Sequence, residues 1–137
     1  MAYYQWDPSL ESGYEKVDSQ HKQLVEALNK LIKASEQGRD QEEVFKTLEF
    51  LTGYVIMHFN TEEKLQKDYA YPEYLSHKQY HDDFKARAGE LVEELKKQGP
   101  TAELVDLTTN TIGEWLLNHI KGHDLSMVSF IKSKGAS

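Results

Sequence analysis

His58 and Glu62 stand four residues apart, and so do His77 and His81. On a helix that advances about 100° per residue, side chains four apart lie only about 40° apart, so each pair projects toward one point and can chelate. His21 and His119 add two more imidazoles, and Asp124 follows His119 by five residues. Imidazole and carboxylate together are the donor chemistry of a transition-metal site. The set suits iron, manganese, cobalt or zinc better than calcium or magnesium, which prefer oxygen donors alone. Five imidazoles and two carboxylates also exceed what one ion accepts, which points to two.

The surrounding pattern says where these residues must lie. From Asp18, His21, Leu24, Val25, Leu28, Leu31 and Ile32 recur at steps of three and four, and Gly38 offers a stop. A second helix follows: Asp40 and Glu43 have capping-box spacing, and Val44, Leu48, Leu51, Val55, His58, Glu62 and Leu65 share one seam. Pro72 suits a first helical turn, and Tyr74, His77, His81, Phe84, Ala88, Leu91 and Leu95 carry a third helix to Gly99-Pro100. Thr101 caps a fourth, in which Val105, Thr108, Ile112, Trp115 and His119 form the inner stripe and Gly122 marks the end. Leu125, Val128 and Ile131 give a brief fifth helix. Short connections make successive helices antiparallel neighbours. The expected fold is all-α, an up-down-up-down four-helix bundle over 18–121, with an N-terminal arm at 1–17 and a short C-terminal helix at 124–132. Trp6 and Tyr14 of the arm are expected to pack on the bundle.

His58, Glu62, His77 and His81 therefore occupy core positions where leucine or isoleucine belongs, and buried polar groups are costly unless each finds a partner. Depth along the bundle shows that the partner is shared. His77 and His81 follow Pro72 by five and nine residues, and Glu62 and His58 precede Lys67 by five and nine. At about 1.5 Å per residue both pairs lie roughly 7 to 14 Å below the connecting loop. The start of the first helix, with His21, and the close of the fourth, with His119, reach the same end. Asp124 would lie about 140° from His119 on an unbroken α-helix, so a break at Gly122 is needed to turn it inward.

In this order, His21 within Asp18-Ser-Gln-His-Lys, His58-x-x-x-Glu62, His77-x-x-x-His81 and His119-x-x-x-x-Asp124 resemble the hemerythrin family along essentially the whole chain. The resemblance implies an oxo- or hydroxo-bridged pair of iron ions. Glu62 and Asp124 would each bridge both, His77, His81 and His119 would hold one iron, and His21 and His58 the other, leaving one position open. It also implies reversible binding of dioxygen, as a carrier, store or sensor, rather than catalysis, with no catalytic residues and at most a weak peroxidase-type side activity. Leu24, Phe59, Leu116 and Ile120 are candidate walls of a dry pocket. The rival reading is a di-iron enzyme with peroxidase, oxidase or nitric-oxide-reducing activity. Di-iron oxidases of bundle fold use Glu-x-x-His pairs, however, and this sequence has none.

Composition narrows the rest. Among 137 residues there is no cysteine, which removes disulfides, thiolate metal sites and thiol nucleophiles. Sixteen Lys and Arg against 23 Asp and Glu give a formal charge of −7 and no basic run, which argues against nucleic acid as a partner. No stretch has the length of a membrane span, and the first residues do not resemble a secretory signal, so a cytoplasmic protein is expected. His123 lies outside the matching pattern and is expected to face solvent. Tyr54 and Tyr80 are expected to pack rather than to hydrogen-bond the imidazoles.

Overall fold

The computed structural model describes residues 4–38 and 41–135. Among these are four long helices and one short one: α1 (Glu15–Glu36), α2 (Gln41–Asp68), α3 (Tyr74–Gln98), α4 (Ala102–His119) and α5 (Leu125–Ser133). A 3-10 turn spans Pro8–Leu10 in the arm, and no strand occurs among the described residues. Each long helix packs on its neighbours in sequence, and α4 closes on α1. This is an all-α four-helix bundle.

The apolar seams bury as their spacing requires. Leu24, Leu28 and Leu31 of α1 meet Leu48, Leu51, Val55 and Phe59 of α2, Phe84 and Leu95 of α3, and Val105, Ile112 and Leu116 of α4 in one core. Burial of each such side chain contributes about 1.5–3 kcal/mol. A smaller cluster of Val17, Tyr71, Met127 and Val128 forms at the other end, with Tyr14, Leu65 and Phe130 against it. His21 falls between Val17 and Leu24 on α1, and Glu62 between Phe59 and Leu65 on α2, so the candidate ligands lie where one cluster gives way to the other. The bundle thus holds a polar layer between two apolar plugs.

Helix boundaries depart from the sequence reading at three places. α1 begins at Glu15 rather than Asp18, because Asp18 is occupied elsewhere: its carboxylate accepts from Ser12 N (2.9 Å), Ser12 Oγ (2.8 Å) and Gly13 N (3.0 Å). That clasp folds the arm onto the first turn. Pro72 lies in the turn before α3, whose N-cap is Glu73. α2 ends in paired bonds from Tyr71 N to Gln66 O (2.8 Å) and from Ala70 N to Lys67 O (3.2 Å), with Ala70 at φ 54° where glycine is more usual. The third departure, at Gly122, is part of the site itself.

Other local signals act as read. Thr101 accepts from Leu104 N at 3.2 Å, and Gly38 takes the left-handed conformation (φ 67°) just past α1. Asp40 of the expected capping box lies outside the described residues. In the arm, Trp6 donates to Glu11 Oε1 (3.3 Å) beneath the Lys22 ammonium, while Tyr14 joins the smaller cluster. No helix among the described residues is long and apolar enough to cross a membrane.

Candidate metal centre

Four helical segments bring His21, His58, Glu62, His77, His81, His119 and Asp124 together, each less than 5% exposed. Their donor atoms fall into two overlapping groups, each mutually within 4.8 Å: Glu62, His77, His81, His119 and Asp124 in one, and His21, His58, Glu62 and Asp124 in the other. All five imidazoles turn Nε2 toward the carboxylates.

The carboxylates divide their oxygens between the groups. Glu62 Oε1 faces His77 (3.5 Å) and His81 (3.2 Å), whereas its Oε2 faces His21 (3.6 Å) and His58 (3.3 Å). Asp124 does the same: Oδ1 faces His77 (3.1 Å) and His119 (3.0 Å), and Oδ2 faces His21 at 2.9 Å. A carboxylate that offers one oxygen to each of two donor sets has the disposition of a bridge.

Asp124 reaches this position through the backbone. Ile120–Asp124 forms a π-turn that runs without interruption from α4 into α5. An i→i+5 turn brings residues five apart into register, so Asp124 returns to the face of His119 without the helix ending. The expectation of a break at Gly122 is therefore corrected. Gly122 has no left-handed backbone, and a Cβ there would meet nothing within 4 Å. Gly122→Ala is accordingly expected to leave the site intact and to stabilise the fold by up to about 1 kcal/mol; chemical denaturation together with metal retention checks both.

Protons alone satisfy this layer poorly. His77 and His119 present Nε2 to each other at 3.0 Å, and His81 presents its own to His119 at 3.1 Å. Among the described residues, His58 Nε2, both oxygens of Glu62 and Asp124 Oδ1 are buried without a hydrogen-bond partner. Such groups cost about 1–3 kcal/mol each when left unpaired. Nitrogens about 3 Å apart have the separation of neighbouring donors on one ion with bonds of about 2.1 Å. The residues fit metal.

Electrostatics agree. Burial resists charge on His58, but Glu62 and Asp124 outweigh it and push the imidazole up to about 10. His77 is pushed up to about 9 in the same way, and His21 is raised. Burial works against ionised Glu62 and Asp124, yet the imidazoles hold both carboxyls well below their ordinary range. His119 is lowered, because burial there exceeds the pull of Asp124. Two anions thus hold positive charge in the layer, whether as imidazolium or as cations.

The remaining expectations divide. Leu24, Phe59, Leu116 and Ile120 are all buried, and Phe59 stacks on His81 with ring centroids 3.8 Å apart. Tyr54 stacks on Phe50, and the Tyr80 ring lies tilted against His123. His123 is not free in solvent: half-buried, it lies 4.3 Å from the Tyr80 ring and 5.2 Å from that of His119, and it belongs to neither donor group. Sequence reasoning missed Gln20 and Glu63. Gln20 Oε1 accepts from His58 Nδ1 at 2.7 Å, and Glu63 Oε2 accepts from His81 Nδ1 at 2.9 Å. The signal for Gln20 was present, since it continues the α1 stripe of Val17, His21 and Leu24 one turn back.

A family model for the hemerythrin HHE cation-binding domain matches residues 12–131. The chain belongs to the hemerythrin family. It is 32% identical over 133 residues to a bacteriohemerythrin of Pseudomonas paraeruginosa, covering 96% of this chain and 84% of that one. It is 37% identical over 121 residues to a myohemerythrin of Theromyzon tessulatum, covering 88% of each. Among solved structures, a hemerythrin variant superposes with a TM-score of 0.83 at 26% identity, over 95% of this chain and 98% of that one. Hemerythrins are oxygen-binding proteins rather than enzymes, and this member carries a cluster of histidine, glutamate and aspartate that could hold metal ions.

Proposed function

We propose that the chain binds dioxygen reversibly at a carboxylate-bridged pair of iron ions, as a carrier, store or sensor. The observation that carries this reading is the division of oxygens: Glu62 and Asp124 each turn one toward a three-imidazole group and one toward a two-imidazole group. His77, His81 and His119 would hold one ion, His21 and His58 the other, and the two carboxylates both. When bound, the pair supplies the two electrons that dioxygen binding takes up and gives back.

The unequal imidazole count supports a vacancy on the two-histidine side, since the same two bridges serve both halves. The protein's own contribution is to hold the donors in place and to keep water out. Leu24, Leu116 and Ile120 adjoin the ligand-bearing turns of α1 and α4, and Phe59 covers the face of His81. None of these four offers an acidic proton. A pocket walled by such groups favours release of the gas over its further reduction.

The test is optical. Iron-loaded protein should show a charge-transfer band in air that disappears under vacuum and returns on re-aeration, through repeated cycles. A single irreversible bleaching, with turnover of added reductant, would instead support the oxidase or peroxidase reading.

A further inference from the structure

We propose that Gln20 and Glu63 are positioning residues that set unlike electron donation in the two halves of the centre; this rests on the metal-pair reading above. Both side chains act across a helix boundary. Gln20 on α1 takes the outer nitrogen of His58 on α2, and Glu63 on α2 takes that of His81 on α3. Each is the immediate chain neighbour of a donor, His21 or Glu62, so the helix that supplies a donor also orients a ring on the next helix.

The first consequence is shared. With Nδ1–H donating outward at 2.7 and 2.9 Å, a neutral ring carries its lone pair on Nε2, facing the carboxylates. Gln20 is itself fixed, because its amide nitrogen donates to Thr61 Oγ1 (3.3 Å) and approaches Met57 Sδ (3.5 Å), which leaves Oε1 for His58. Its neighbours thereby decide which end of the amide faces the ring.

The second consequence differs between the halves. An amide oxygen is a neutral acceptor, whereas a carboxylate forms a charge-assisted bond that draws the imidazole proton more strongly and makes the ring a better electron donor. Glu63 sits only 13% exposed, where water screens the bond little. His81 therefore donates more strongly to the three-imidazole half, favouring its higher oxidation state. His58, in the half with fewer imidazoles, keeps the neutral partner.

Full-length protein with Glu63→Ala, Glu63→Gln and Gln20→Glu tests this with two readouts. Zinc affinity, read by competition with a chromogenic chelator, is independent of oxygen chemistry. The midpoint potential of the iron-loaded form, read by spectroelectrochemical titration, senses donor charge that a merely structural contact would not move. Glu63→Ala should weaken zinc binding about 10- to 100-fold. Glu63→Gln, which keeps a hydrogen bond, should recover most of that affinity while its potential stays above the parent's; Gln20→Glu should move the potential below it. Zinc affinity unchanged in Glu63→Ala, or a potential unchanged in Glu63→Gln, would overturn the proposal. Loss of reversible dioxygen binding in a parent chain whose variants still shift as described would overturn the dioxygen reading instead and leave the positioning roles standing.

Discussion

Glu62→Ala is expected to abolish metal retention in both halves of the centre at once, lowering affinity by at least about a hundredfold. One side chain has this reach because its two oxygens face four imidazoles, two in each group. Its removal deletes a donor from each half and one of the two carboxylates that the groups share. The metal-free protein should respond too. His58 loses the carboxylate that most opposes its burial and keeps only Asp124, so its pKa should fall from about 10. Breaking a buried charge pair costs about 3–5 kcal/mol where the remaining partner must stay charged. Most of that loss should appear between the ordinary carboxylate range near 4 and about pH 6.5; above it the rings can shed their protons and the loss should shrink. Metal analysis after gel filtration and an NMR titration of His58 read the two effects separately. Retention of a full metal complement by this variant would contradict the bridging role.

Removing the metal is expected to invert the pH dependence of stability. In the metal-free fold His58 and His77 hold their protons up to about 10 and about 9, against about 6.5 in the unfolded chain. A raised histidine pKa contributes stability that is complete below 6.5 and is lost as pH rises through the folded values. Glu62 and Asp124, both lowered, contribute stability that is present above the ordinary carboxylate range near 4 and is lost in acid. The metal-free chain should therefore be most stable near pH 5 to 6 and weaken by several kcal/mol toward pH 10. Metal requires the same imidazoles unprotonated, so its stabilisation grows with pH. Denaturation curves with and without chelator between pH 5 and 9.5 should diverge toward the alkaline side. A metal-free chain that gains stability from pH 6.5 to 9 would show that the imidazoles are not paired with the carboxylates in this way.

Which parts of this architecture can be read from the chain follows from how local their causes are. The seams of α1 to α4 repeat at steps of three and four, and polar residues in those seams, such as His58 and Glu62, stand out because leucine would serve packing better there. Equal spacing from the loop at Pro72 placed the two central pairs at one depth, and the structure brings His21, His119 and Asp124 to the same layer. The π-turn was not legible, because nothing in Ile120-Lys121-Gly122-His123-Asp124 distinguishes an i→i+5 turn from a helix end, and a glycine suggests the end. Nor was the clasp of Asp18 on Ser12 and Gly13, which depends on how the arm returns to α1. His123 was misplaced for the same reason: without the π-turn, its position beside Tyr80 has no local cause. Gln20 lies on the inner stripe of α1, but Glu63 looks like a surface polar residue until the neighbouring helix supplies the ring that it holds.

The most direct measurement of the central claim is the number of iron ions held per chain, by elemental analysis of anaerobically reconstituted protein after removal of loosely bound metal. Two per chain is the expected result, falling together when either Glu62 or Asp124 is replaced by alanine. A single ion per chain, or a second ion indifferent to both carboxylates, would contradict the bridged pair and with it the assignment of dioxygen to its vacant side.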